Sequence, residues 1–290
     1  MTTQQPRVWF ITGCSTGFGR ALTEAVLARG ELVIATARKP DKLNDLVQQY
    51  GSHVLALPLD ITQSTNVKIA VNQAIAAFER IDVLVNNAGY GVFGAIEEVS
   101  DGDVKRQFET NVYGALDVTR AVLPHLRRQR SGHILNISSS GGFIGFAGAG
   151  IYCASKFALE GWSEALAKEV APLGIRVTIV EPGAFRTAFN GTLVSPKQTI
   201  DDYVATSGQM LQWLHQMHGQ QPGDPHKAAL AMIQAVNHSS PPLRLILGAD
   251  TLEAVHAKLE AVAGDLNAWR EVSINTTFEG AAVSAIGAYF

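Results

Sequence analysis

Little cysteine, little net charge and no long apolar run mark this chain, and each shortage excludes something. Two cysteines among 290 residues, Cys14 and Cys153, cannot build a disulfide framework. Lys and Arg number 23 against 26 Asp and Glu, a formal net charge of −3. That balance offers no electrostatic footprint for nucleic acid or an anionic membrane. The basic cluster Arg127-Arg128-Gln129-Arg130 reads as a solvated helix end, where cations complement the dipole. No stretch approaches the apolar length of a membrane span. The first residues lack the order of a signal peptide, so a cytoplasmic location is expected. No metal is expected either.

The chain is 47% hydrophobic, enough for one large core, and a single domain over 1–290 is expected. Short apolar runs at 7–11, 32–36, 54–57, 82–85, 133–138, 175–180 and 243–247 read as strands. Helical spacing falls between them, near 18–29, 40–49, 63–79, 103–129, 152–171, 225–237 and 251–263. Strands and helices in alternation imply an α/β, Rossmann-type doubly wound fold, with seven parallel strands covered on both faces. One long stretch, 185–224, shows no regular pattern but carries Phe185, Phe189, Tyr203, Met210, Trp213 and Met217. Irregular stretches of that length are usually functional, and this one is expected to be a substrate lid.

Two motifs carry the chemistry. Arg7-Val8-Trp9-Phe10-Ile11 runs into Thr12-Gly13-Cys14-Ser15-Thr16-Gly17-Phe18-Gly19 and then a helix. Glycines let the turn take positive φ and bring its backbone against a ligand. The free N–H groups and positive end of the helix then face an anion such as a pyrophosphate. Further on, Tyr152 and Lys156 stand at i and i+4, so both side chains leave one helix face. A fixed ammonium favours the phenolate and draws the tyrosine toward useful acid–base behaviour. Ser139, thirteen positions before Tyr152, lies at the carboxyl end of a strand.

Taken together, Thr12-Gly13-xxx-Gly17-x-Gly19, Asn86-Asn87-Ala88-Gly89, Asn111, Ser139, Tyr152-xxx-Lys156 and Pro182-Gly183-xxx-Thr187 resemble the short-chain dehydrogenase/reductase family in its single-domain form. The resemblance implies that Ser139, Tyr152, Lys156 and Asn111 are catalytic, with Asn111 holding a water that connects the lysine to solvent. It implies a nucleotide cofactor held by Gly13, Ser15, Thr16, Gly17, Phe18, Gly19, Asp60, Ile61, Asn87, Ala88 and Gly89. Tyr152, Lys156, Pro182, Gly183 and Thr187 complete that set, with Asp60 near the adenine amino group and Thr187 on the nicotinamide carboxamide. The segments Asn86 to Gly91 and Gly94 to Glu98 are similar to the retinol and 17β-hydroxysteroid dehydrogenase-like branch. The segment 251–290 runs past where many members end.

Cofactor choice turns on the end of the second strand. An NAD enzyme would place a carboxylate there for the ribose 2′-hydroxyl, but Ala37 holds that position and Arg38 and Lys39 follow. A guanidinium suits a 2′-phosphate, so NADP is expected. The expected function is interconversion of a ketone or aldehyde and its alcohol; the alternative is a non-catalytic NADP-binding sensor of the same fold. Phe93, Phe143, Phe146, Phe189 and Trp213 are expected to wall an apolar substrate pocket for a hydrophobic carbonyl or alcohol. Family members pair through the long helices, here 103–129 and 152–171, so a homodimer is expected. The tail is expected to cover the surface formed by 243–247 and 225–237.

Overall fold

The computed structural model describes residues 5–280. Seven strands form one parallel sheet: β1 (Val8–Ile11), β2 (Leu32–Ala37), β3 (Val54–Pro58), β4 (Val83–Asn86), β5 (Gly132–Ile137), β6 (Ile175–Pro182) and β7 (Arg244–Leu247). Their order is β3-β2-β1-β4-β5-β6-β7. The winding therefore reverses between β1 and β4, which opens a crevice at the carboxyl ends of those strands. β1 explains why the sheet is covered twice. Trp9 and Ile11 pack on one face with Leu22, Val26, Ala229 and Met232, whereas Val8 and Phe10 pack on the other with Val67, Val71, Val118 and Val122.

On the first face lie α1 (Gly17–Leu27) and α8 (Pro225–Asn237), which pack against each other. Asp224 starts α8 by accepting the His226 N–H at 2.8 Å, with Pro225 at the first helical position. On the second face lie α3 (Ser64–Phe78), α5 (Ala115–Gln129) and α6 (Gly150–Val170). Shorter helices are α2 (Asn44–Tyr50), α4 (Asp101–Phe108) and α7 (Gln209–Gln216). A buried polar relay locks sheet to helices. Asn86 Nδ2 donates to Thr119 Oγ1 and to Asn136 Oδ1, both at 2.8 Å, and Asn136 Nδ2 donates to Ser163 Oγ at 2.7 Å.

Three expectations change here. The helix expected over 103–129 starts at Asp101 and is interrupted by a wide π turn, Glu109–Gly114, before α5 continues. The stretch 185–224 is not irregular throughout, since it contains α7 and short helical turns. It is tied down by Phe93 N to Val194 O at 2.9 Å and Ile200 N to Glu98 Oε1 at 2.8 Å. The tail forms α9 (Ala249–Ala268) and α10 (Arg270–Ile274). Only the first turns of α9 touch the body, and from Ala257 to Gly280 every residue is exposed. Within one chain the tail therefore does not cover α8 and β7; the part of the expectation on 281–290 lies outside the described residues.

His133 on β5 is buried, its Nε2 2.9 Å from Thr178 Oγ1, and that hydroxyl donates to Pro242 O at 2.8 Å. Burial, aided by the charges of Arg176 and Arg7, pushes its pKa down to about 4 from 6.5. The folded value lies below the unfolded one, so the unfolded chain takes up the proton first. The stabilisation is complete above pH ~6.5 and lost as pH falls toward ~4, roughly 3 kcal/mol in all. His133→Asn should flatten that dependence, read as urea midpoints at pH 7 and 4.5. Equal losses in both proteins would rule His133 out.

Candidate active site

At the carboxyl ends of β1, β2, β4, β5 and β6 lies one cleft of about 1290 Å³. That is room for a dinucleotide and a further small molecule. One end is built from the glycine turn, where Gly13 and Gly17 hold φ of 74° and 62°. Gly19 does not face the cleft: a Cβ there would stand 2.4 Å from Gly13 O and 2.5 Å from Asn87 Nδ2, so it allows α1 to approach β4. Asn87 pins the turn by donating to Thr12 O at 2.8 Å and Gly13 O at 3.1 Å. The N-cap of α1, Thr16, makes no side-chain cap, which leaves the helix's first N–H groups free for a ligand. Free N–H groups at a positive helix end, in a glycine cradle, fit the pyrophosphate of a dinucleotide.

Farther along the wall, Ser15, Thr16, Phe18, Arg38, Asp60, Ile61, Ala88 and Gly89 line the cleft. Asp60 Oδ1 accepts from Thr62 N and Thr62 Oγ1 at 3.0 and 2.7 Å, so one carboxylate oxygen is held by a local turn. Pro182, Gly183 and Thr187 also line the cleft, and Thr187 lies against the Gly17 side of the turn. Arg38 is exposed at the rim and, among the described residues, no carboxylate pairs with it. Arg20 nearby is held by Glu24 and Asp45.

Ser139, Tyr152 and Lys156 converge midway. Tyr152 is buried, stacked on Phe93 with ring centroids 5.3 Å apart and flanked by Phe189 at 5.7 Å. Burial pushes its phenol up to about 12, an effect that the adjacent Ser139 hydroxyl opposes. Lys156 Nζ lies 5.8 Å from the Tyr152 ring centre and donates to Ile137 O at 2.8 Å. Burial pulls its pKa down to about 8, with Glu160 opposing.

A nucleotide-sized cleft over a serine, tyrosine and lysine is the arrangement the sequence motifs imply. The short chain dehydrogenase family model matches residues 7–198. This chain belongs to the short-chain dehydrogenase family. It is 40% identical over 269 residues to oxidoreductase BOA17 of Botryotinia fuckeliana, covering 92% of this chain and 98% of that one. It is 39% identical over 246 residues to a 3-ketodihydrosphingosine reductase of Bacteroides thetaiotaomicron, covering 84% and 88%. A short-chain dehydrogenase from Streptomyces avermitilis superposes with a TM-score of 0.90 at 43% identity, covering 94% of this chain and all of that one. Two more distant structures hold nucleotides. One is a Burkholderia phymatum family member with NAD, at a TM-score of 0.80, 22% identity and 91% and 97% coverage. The other is a serine dehydrogenase with NADP+, at 0.72, 26%, and 83% and 94%.

In this short-chain dehydrogenase several expected residues lie outside the cleft lining. Asn111 is buried behind the cleft, within the π turn. Its Nδ2 donates to Tyr90 O at 3.0 Å and Ser155 Oγ at 3.2 Å, and its Oδ1 accepts from Tyr90 N at 3.2 Å. These bonds hold the β4 exit against α6, with no direct bond to Lys156. Phe143 is not a pocket wall, because its ring lies under the Arg244 guanidinium at 5.5 Å. Lys39 lies outside the lining. The phenol is raised by burial, and the group that opposes this is Ser139 rather than the expected Lys156. Phe93, Phe146, Phe189 and Trp213 do line the cleft, joined by Met210 and Leu214 from α7. The sequence reading missed Gln221, Asp250, Thr251 and Ala254 on the same wall. Asp250 accepts the Ala184 N–H at 3.0 Å, and no spacing rule links it to a turn 66 residues away.

Proposed function

We propose that this chain is an NADP(H)-dependent oxidoreductase that interconverts a lipophilic ketone or aldehyde and its alcohol. The observation that carries the reading is the meeting of Ser139, Tyr152 and Lys156 beneath an apolar wall in a nucleotide-sized cleft. The bound nucleotide supplies the hydride for the carbonyl carbon. Ser139 and Tyr152 grip the carbonyl oxygen, and Tyr152 passes its proton to that oxygen as charge develops there. A phenol kept protonated by burial suits the reducing direction. The Lys156 ammonium stands by to stabilise the phenolate left behind and to hold the ribose hydroxyls. Arg38 at the rim supports NADP over NAD, since its free guanidinium can fork onto a 2′-phosphate.

Phe93, Phe146, Phe189, Met210 and Leu214 favour a hydrophobic substrate, in keeping with a relative named for reducing 3-ketodihydrosphingosine. The stretch 185–224, strapped over this wall through Val194 and Ile200, acts as the lid, and α9 onward is an extension of the same domain. The test is purified protein with NADPH and a panel of aliphatic, aromatic and steroidal carbonyl compounds, followed at the cofactor's absorbance. Turnover of lipophilic members is expected. Binding of NADPH without turnover of any compound would favour the sensor reading instead.

Assembly as a homodimer through α5 and α6 is part of the proposal. Tyr113 in the π turn just before α5 and Phe157 on α6, 61% and 46% exposed, supply apolar contacts that a monomer would leave in water. Light scattering at micromolar concentration should give twice the chain mass; the mass of one chain would remove the idea.

A further inference from the structure

We propose that Glu160 is a positioning residue for the carbonyl chemistry: it fixes the turn that carries Ser139 and keeps Lys156 charged. The proposal rests on the oxidoreductase reading and adds a residue to it. Tyr152, Lys156 and Glu160 stand at i, i+4 and i+8 on α6, so the glutamate continues the stripe that carries the acid–base pair. It is 3% exposed. A carboxylate so deeply buried is costly unless it is partnered.

One carboxylate oxygen accepts the Ser138 hydroxyl at 2.6 Å, and the other pairs with Arg244 from β7. Ser138 immediately precedes Ser139. The turn after Ser139 closes over this pair: a Cβ on Gly142 would stand 2.1 Å from Glu160 Oε1 and 2.3 Å from Ser138 Oγ. Gly142 is thus the residue that lets the turn sit directly on the hydrogen bond. The Ser139 carbonyl then accepts the Gly142 N–H at 2.8 Å, and Ser139 Oγ accepts the Gly141 N–H at 3.1 Å. Arg244 grips the same turn from the sheet edge, through its stacking on Phe143. Its other partners are Glu181 Oε1 at 2.9 Å and Glu164 Oε2 at 3.1 Å.

The second part is electrostatic. Among the described residues, the titratable neighbours of Lys156 on its own helix are Tyr152, Cys153 and Glu160. Its nearest atoms on other elements are uncharged: Ile137 on β5 offers a carbonyl, and Gly89 and Asn111 are neutral; farther along the cleft wall stand Glu109 of the π turn and Arg106 of α4. Glu181 and Arg244 stand behind Glu160. Burial works against the ammonium, and Glu160 works for it. A carboxylate one helical turn away favours the charged form.

Two variants separate the parts. Glu160→Gln keeps an oxygen for Ser138 and removes the charge; Arg244 retains two carboxylates. Ser138→Ala removes the hydrogen bond and no charge. With lysines carbon-13 labelled at Cε and Lys156 assigned by its loss in Lys156→Arg, NMR titration should place the Lys156 midpoint at least about half a pH unit lower in Glu160→Gln, as loss of a nearby charge implies. The alkaline limb of kcat should move the same way. Ser138→Ala should leave that midpoint in place and lower kcat about tenfold or more, the usual weight of a hydrogen bond to a charged group. An unmoved midpoint in Glu160→Gln, or full kcat in Ser138→Ala, would overturn the proposal. If no carbonyl compound is turned over by wild type, the oxidoreductase reading falls, whereas the NMR titration still decides what Glu160 does to Lys156.

Discussion

Tyr152→Phe should lower turnover by about 10²- to 10⁴-fold, the range that general acid catalysis commonly supplies, with NADPH still bound. Removing one oxygen leaves the ring where it is, because Phe93 and Phe189 hold it from two sides. What disappears is the proton and one of the two groups, with Ser139, that would grip the carbonyl oxygen. The fold should hardly notice, since no backbone group depends on the phenol. Fluorescence titration of NADPH and steady-state kcat on a substrate from the panel measure the two effects separately. Retention of more than a few per cent of wild-type turnover would take the acid role away from Tyr152. Lys156→Ala should behave differently, weakening both nucleotide binding and turnover.

Arg38 isolates one charge and one chemical group. Arg38→Ala should weaken NADPH binding by about 1.5–3 kcal/mol, roughly ten- to hundredfold, and change NADH binding little. The residue is exposed and unpaired, so its removal breaks nothing in the fold. Ala37→Asp with Arg38→Ile should go further and reverse the preference. Ala37 is nearly buried yet lines the cleft, which would aim a carboxylate at the ribose edge. The readout is the ratio of kcat/KM for NADPH and NADH in wild type and both variants. A wild type that prefers NADH would show that the NADP assignment is mistaken.

The sheet was legible because parallel strands are buried on both faces and read as short unbroken apolar runs. All seven expected strands are present, with ends moved by no more than a residue or two. The π turn was not legible, since its cause is tertiary. Gly114 has no room for a Cβ beside Ile61, and Asn111 is bound to Tyr90, contacts that leave no mark on local propensity. Phe143 was misread for a similar reason. An aromatic after a catalytic serine suggests a pocket wall, but an arginine a hundred residues later takes the ring to the far side of the turn. Glu160 could have been found, because i+4 after the lysine is the same arithmetic that ties lysine to tyrosine.

The family match ends at residue 198, but the cleft does not. Met210, Trp213, Leu214, Gln221, Thr251 and Ala254 all belong to its walls. Ser139, Tyr152 and Lys156 thus lie within the family match, while part of the chamber wall lies beyond it. Transplanting 199–224 from a relative would change the shape of the chamber while leaving Ser139, Tyr152, Lys156 and the Arg244–Glu160 pair in place. Trimming the chain at 250, one residue into α9, would take Thr251 and Ala254 out of the chamber's lining.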